Sequence, residues 1–214
     1  MPRVRVHQHV NPLAPFYRQA PKPIDLGAVF SDPAQPLHLD IGSGRGRFIL
    51  RMAEVRSDWN FLGVEIREPL VVEANRLGHE QGRTNLRYEF CNAMLWLDRL
   101  LKDIPDDILQ TVTIQFPDPW FKKKHAKRRM VNRELLDAVL GKLAVGGHIF
   151  VQTDIEPLAD EMFGLFGSYP NLREISVTHP FDVKTEREKA VEEKGLQVFR
   201  RTFEKSFGED LTEQ

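Results

Sequence analysis

From residue 37 onward, short apolar runs alternate with stretches of helical spacing, the pattern of a parallel sheet covered by helices. LHLDI at 37–41 reads as a first strand, and Phe48, Met52 and Val55 then recur at helical intervals. NFLGVEI at 60–66 gives a second strand. Pro69 opens the next helix, with Leu70, Ala74 and Leu77 on one face and Gly78 near its end. NLRYEFC at 85–91 is a third strand, followed by a short helix from Met94 to Leu101, and TVTIQF at 111–116 is a fourth. That fourth run alternates apolar with polar, unlike a strand buried on both faces. Its β-branched residues, and the Pro that stops it, still mark it as a strand. Leu135, Leu136, Val139, Leu140 and Leu143 form the next helix, which Gly146 and Gly147 end before a fifth strand, HIFVQT at 148–153. Asp154 is placed to cap a helix carrying Leu158, Met162 and Leu165. Two further strands, near 172–177 and 196–204, flank the charged, helix-prone KTEREKAVEEK.

Residues 1–36 hold neither period for long. They are rich in Pro, with Arg3, Arg5, Arg18 and Lys22 among aromatics, and read as an irregular basic arm ahead of a single domain at 37–214. The whole chain, 214 residues, suits one well-packed α/β domain. A net charge of -1 gives no global pull toward nucleic acid, so any such affinity comes from local patches. The chain has one such patch: in KKKHAKRR, residues 122–129, six of eight positions are Lys or Arg.

The single cysteine, Cys91, excludes an intrachain disulfide and suits a reducing compartment; it reads as a buried structural thiol. Apolar runs fall short of the roughly 20 residues of a membrane helix, and the first residues lack the apolar core of a signal peptide. A soluble, cytoplasmic protein without a membrane partner is expected. Of seven His, only His7 and His9 form a close pair, and neither Cys nor carboxylates complete a metal site, so no metal is expected.

DIGSGRGRF, residues 40–48, places Gly42, Gly44 and Gly46 between a strand and a helix, where the backbone turns sharply and a ligand approaches the main chain. Arg47 stands where a dinucleotide fingerprint needs its third glycine, so the spacing is G-x-G-x-G. Glu65 ends the second strand about 20 residues on, a position suited to binding both hydroxyls of a ribose. Together these residues resemble the cofactor site of class I S-adenosylmethionine methyltransferases. The resemblance implies that fold, a Rossmann-like seven-stranded sheet, mostly parallel with its last strand antiparallel and helices on both faces. It also implies Asp40 beside the cofactor's methionine end, with Gly42 and Gly44 in the loop and Asn92 at the adenine.

The loop after the fourth strand, FPDPWFKKKHAKRR at 116–129, borders the same crevice. Its cations neutralise phosphates, and Trp120 and Phe121 are candidates to stack on a flipped base. This stretch closely resembles the corresponding motif of bacterial tRNA (guanine-N7-)-methyltransferases, and the likeness extends through GGHIFVQTD to PFDVKTERE. Carried onto this chain, the family's motif acid is Asp118, where cofactor and guanine meet, and its substrate contacts are Lys122, Asp154 and the segment from Thr185 to Glu188. The family commonly has an aromatic inside that segment; Arg187 stands there instead, and its guanidinium plane can stack. Lys123, Lys124, His125, Lys127, Arg128 and Arg129 are the expected RNA contacts, His125 as a contact or surface residue rather than an acid.

The implied reaction moves a methyl group to N7 of a guanine in the tRNA variable loop, by a monomer or homodimer. N7 has a free lone pair, so no general base is needed; orientation dominates, and Asp118 is the candidate catalytic anion. Two other readings stay open. One is an amino methyltransferase acting on adenine or protein amide nitrogen, favoured by the D-P-aromatic core, and the other a non-catalytic RNA-binding protein that keeps the fold.

Overall fold

The computed structural model describes residues 10–177 and 179–207, so Arg3, Arg5, His7 and His9 lie outside the described residues. After a short helix α1 (Leu26–Val29), strands and helices alternate: β1 (Leu37–Ile41), α2 (Arg47–Val55), β2 (Asn60–Glu65), α3 (Glu68–Glu80), β3 (Leu86–Phe90) and α4 (Ala93–Leu100). The second half follows with β4 (Leu109–Gln115), α5 (Arg133–Leu140), β5 (Leu143–Thr153), α6 (Glu156–Gly167), β6 (Leu172–Ile175), α7 (Glu186–Glu192) and β7 (Phe199–Lys205). One seven-stranded sheet has the order β3-β2-β1-β4-β5-β7-β6. Strands β1 to β5 pair in parallel, and β7 runs antiparallel to both β5 and β6. The chain reverses direction across the sheet between β1 and β4, which opens a crevice at the carboxyl ends of those strands. None of the described helices is long and apolar enough to cross a membrane.

Side-chain alternation along the strands feeds two different layers. Leu39, Ile41, Leu62, Val112, Ile114 and Val151 face the larger apolar core, shared with α4, α5 and α6. On the opposite face, Phe61 and Tyr88 pack under Phe48 and Met52 of α2 and Val71 of α3. That second face also buries a row of polar side chains: His38, Asp40, Thr111, Thr113 and Gln152. Thr111 and Thr113 of TVTIQF are therefore interior, with Gln115 half-buried at the strand's end, and β4 is covered on both faces. Register lines the row up, with Asp40 opposite Thr113, Gln115 opposite Gln152, and Gln152 opposite Arg200.

Three local expectations change. Leu143 does not close a helix: α5 ends at Leu140, and Leu143 opens β5 by pairing with Leu109. Gly146 and Gly147 lie inside β5, where the register jumps from Leu109↔Leu143 to Thr111↔His148. Gly146 adopts φ +78°, and a Cβ on Gly147 would sit 2.8 Å from the Ala144 carbonyl oxygen, so the glycines permit a bulge rather than a stop. Asp154 does not cap α6, whose N-cap is Ile155 without a side-chain cap; its carboxylate pairs with Arg187 instead.

Residues 10–36 carry little regular structure but pack onto the domain. Ile24, Leu26 and Phe30 are buried in the larger core, and the Ile24 N–H donates to the Leu100 carbonyl at 2.9 Å.

Candidate active site

Two adjoining hollows occupy the crevice, an inner one of about 140 Å³ and an outer cleft of about 690 Å³. Gly42, Gln115, Phe116, Pro117 and Asp118 line both. The glycine loop bounds them with Gly42, Gly44 and Gly46 all at positive φ, a conformation costly to a side chain. Gly46 also lies against Tyr88: a Cβ there would meet the ring at 2.5 Å, and the Tyr88 hydroxyl donates to the Gly46 carbonyl at 2.6 Å. Tyr88 thus fixes the loop from the third strand.

Glu65 is 3% exposed at the end of β2. Its carboxylate accepts the Gly44 N–H at 2.8 Å and the Arg67 N–H at 3.0 Å, and it holds the Arg67 guanidinium through Nε at 2.8 Å and Nη2 at 3.1 Å. Burial works against the Arg67 charge; Glu65 and Asp118 more than compensate, and its pKa is raised. Arg67 therefore feels both the strand-end acid Glu65 and the motif acid Asp118, a placement that no sequence motif signalled. Asp40 lies beneath the loop, 4% exposed, and accepts the Thr113 hydroxyl at 2.6 Å. Burial, outweighing hydrogen bonds from Thr113 and Gln115, pushes its pKa up to about 6. His38, bonded to Thr113 at 3.0 Å, is lowered by burial to about 3 and stays neutral. Asn92 lines the inner hollow, but its amide group donates to the Pro12 and Tyr17 carbonyls at 2.8 and 3.2 Å, which ties residues 10–17 to the site. Cys91 is buried beside it, and burial first among the causes pushes its thiol up to about 12, which makes it inert.

Asp118 is exposed where the two hollows meet, bracketed by Phe116 at φ 52° and Trp120 at φ 42°. Positive φ at aromatic residues costs about 1–3 kcal/mol each and is held only by surrounding structure. Part of that support comes from the Phe116 N–H, which donates to the Gln152 carbonyl at 2.8 Å. Phe121 stands at the outer rim, 73% exposed.

The basic block divides in two. Arg128 stacks over Trp120 at 5.0 Å and lines the inner hollow, while Arg129 donates to the Pro119 carbonyl at 3.0 Å and pairs with Glu161. These two cations brace the loop rather than project from it. Lys122, Lys124 and Lys127 are exposed; Lys122 follows Phe121 outside the hollows. Lys123 opens the short 3-10 turn Lys123–Arg128. His125 lies edge-on to Trp120 at 5.7 Å, and partial desolvation with the charges of Arg128, Lys124 and Lys122 lowers its pKa.

The far wall of the outer cleft is the start of α7. Thr185, Glu186 and Arg187 line it, and Glu188 does not. Glu188 is 0% exposed and faces inward, within 3.0 Å of His179 Nε2 and 3.1 Å of Arg200 Nη2. Burial pushes its pKa up, but bonds from His179 and Gln152 and the charge of Arg200 prevail and lower it. Thr185 and Glu188 form a reciprocal capping box, a pattern readable in the sequence as T-x-x-E. Arg187 and Asp154, both expected to meet substrate, pair with each other, and Arg47 of α2 pairs with Glu186 across the cleft. Among the described residues, no group of three or more His, Cys, Asp or Glu is arranged to hold a metal.

The donor set fits S-adenosylmethionine. Asp40 offers a buried anion for an ammonium, Glu65 a strand-end acid for a ribose, and Ile41, Val64, Ala93 and Met94 an apolar lining for a heterocycle. The Ser43 hydroxyl beside the loop is buried without a partner among the described residues, an acceptor and donor that a ligand would satisfy.

A family model described as "Putative methyltransferase" matches residues 34–201. The chain is 50% identical over 210 residues to the tRNA (guanine-N(7)-)-methyltransferase of Trichormus variabilis, covering 96% of this chain and 98% of that protein. It is 48% identical over 207 residues to the protein of the same name from Synechococcus elongatus, covering 95% and 97%. Among solved structures it is similar in fold to the antibiotic-resistance methyltransferase Kmr, with TM-score 0.57 and 18% identity over 86% of this chain and 91% of that one. An rRNA methylase from Streptococcus thermophilus gives TM-score 0.51 and 14% identity, covering 85% and 92%. With a methyltransferase sheet, an acid-lined crevice and near-complete coverage by these relatives, the chain belongs to the family of tRNA (guanine-N(7)-)-methyltransferases.

Proposed function

We propose that this protein methylates N7 of a guanine in the variable loop of cytoplasmic tRNA, with S-adenosylmethionine as donor. The observation that carries this reading is the position of Asp118, exposed where the inner and outer hollows meet. When bound, S-adenosylmethionine supplies a methyl group on an electron-poor sulfonium. Asp40 would hold its ammonium, Glu65 its ribose hydroxyls, in competition with Arg67, and Asn92 its adenine through the amide oxygen, because the amide hydrogens are engaged. The guanine would enter from the outer cleft between Phe121 and the α7 wall.

N7 needs no deprotonation, so the residues around it act by orientation and charge. Positive charge builds on the purine as the methyl arrives, and the Asp118 carboxylate stabilises it. Lys122, Lys124 and Lys127 meet the phosphates; Arg187 and Asp154 are placed to exchange their mutual pairing for contacts with the base.

Incubation with S-adenosylmethionine and unmodified tRNA, then nucleoside digestion and mass spectrometry, tests the reading. It requires 7-methylguanosine. A different methylated base would refute the substrate assignment, and cofactor binding without product would favour the RNA-binding alternative.

A further inference from the structure

The polar row on the α2 face runs side chain by side chain from beneath the glycine loop to the first turn of α7. Gln115 Nε2 lies 3.5 Å from the Asp40 oxygen that also accepts the Thr113 hydroxyl. Gln115 Oε1 accepts from Gln152 Nε2 at 2.8 Å, and the other hydrogen of that amide reaches Glu188 Oε2 at 3.2 Å. Asp40 lies beneath the glycine loop; Glu188 caps the helix whose first residues line the outer cleft. Two amides therefore bridge the acid beneath the glycine loop to the α7 wall, and that acid and that wall both line the outer cleft.

Only one orientation of this bridge is self-consistent. Turning the Gln152 amide over would set its oxygen against Gln115 Oε1 and the Glu188 carboxylate, acceptor against acceptor. The Gln152 Oε1 is buried with no partner among the described residues, so its donors alone hold the amide. Met would fill the same space without an orphaned oxygen, which makes the donors the reason for Gln here.

We infer that Gln115 and Gln152 are positioning residues that link occupancy of the Asp40 carboxylate to the placement of Thr185 and Arg187, so that cofactor and tRNA bind cooperatively. The inference rests on the assignment of the cofactor's ammonium to Asp40 and of the guanine to the α7 wall. A cation at Asp40 competes for the oxygen that Gln115 approaches; Gln115 shifts, Gln152 follows, and Glu188 carries the capping box with it. The two states differ in whether Arg187 remains paired with Asp154 or turns to the base.

The test is a binding cycle on the whole chain, using S-adenosylhomocysteine and unmodified tRNA as probes. In the unaltered protein, saturating tRNA tightens S-adenosylhomocysteine binding by about fivefold or more, and the reciprocal factor for tRNA is equal. In Gln152→Met the factor falls to about one, while the affinity for S-adenosylhomocysteine alone stays within about twofold. A purely structural role would weaken each ligand alone and leave their ratio intact. Independent binding in the unaltered protein, or full coupling in Gln152→Met, overturns the inference while the methyl-transfer reading survives. Failure of either probe to bind the unaltered protein sinks that reading itself. Should Gln152→Met not fold, Gln152→Leu carries the same decision.

Discussion

At the scale of single residues, Asp118 and Asp40 have different environments in the crevice and different expected behaviour. Asp118→Asn keeps the shape of the loop and removes the anion, so turnover falls by about 10²–10³-fold, the loss typical of one electrostatic stabiliser. Its tRNA dissociation constant, read by filter binding, stays within about threefold, because phosphate contacts supply most of the affinity. An equal loss of both would remove Asp118 from the reacting centre. Asp40 is the titrating partner. Its folded pKa of about 6 lies above the ordinary 3.8, so between those values the folded protein holds a proton the unfolded chain has released. Its contribution to stability therefore falls as pH rises through that interval. Affinity for the cofactor's ammonium moves the other way, because only the carboxylate attracts it. S-adenosylhomocysteine binding should tighten roughly tenfold between about pH 5 and about pH 7, and Asp40→Asn should flatten the profile. His38 does not supply this transition, since its pKa is held near 3.

Elements position these residues, and some of that positioning was readable in advance. The Gly42 to Gly46 spacing and the Glu65 offset announced the turn and the strand end that border the crevice, because tight turns and strand ends have few sequence solutions. Tyr88 and Arg67 were silent: one acts by filling space left by glycines on another element, the other by reaching back two residues along the chain. The alternation of Thr111, Thr113 and Gln115 was a visible anomaly whose cause lies in strands distant in sequence. Gly146 and Gly147 misled for a related reason, since a bulge and a helix stop demand the same backbone freedom. Gly46→Ala should cost about 2–4 kcal/mol in denaturant unfolding through collision with Tyr88 plus left-handed strain. Gly44→Ala, with nothing within 4 Å of its Cβ, should cost only about 1 kcal/mol. Glu188→Ala leaves Arg200 and His179 without their buried carboxylate and should destabilise by about 3 kcal/mol or more. Thermal unfolding would then show that its loss of activity comes from the wall and not from a missing substrate contact.

At the scale of the whole molecule, the proposed function requires a chain of net charge -1 to meet polyanionic RNA through a local basic loop, so the salt response should belong to a few lysines. Lys124→Ala and Lys127→Ala should each reduce the slope of log affinity against log salt by roughly 0.7–0.9. Arg129→Ala should leave the slope unchanged and lower the melting temperature instead, because its partners are Glu161 and the Pro119 carbonyl. Equal slopes for all three would return Arg129 to the RNA surface. The sheet order adds a consequence for how the protein is made. β5 lies inside the finished sheet, yet its far neighbour β7 is translated only after β6 and α7. A nascent chain emerging from the ribosome can assemble β1 to β4 around the glycine loop while β5 is still an open edge and Arg200 has not been added. The enzyme is thus silent through most of its own synthesis, and the α7 wall of the outer cleft is the last part to set.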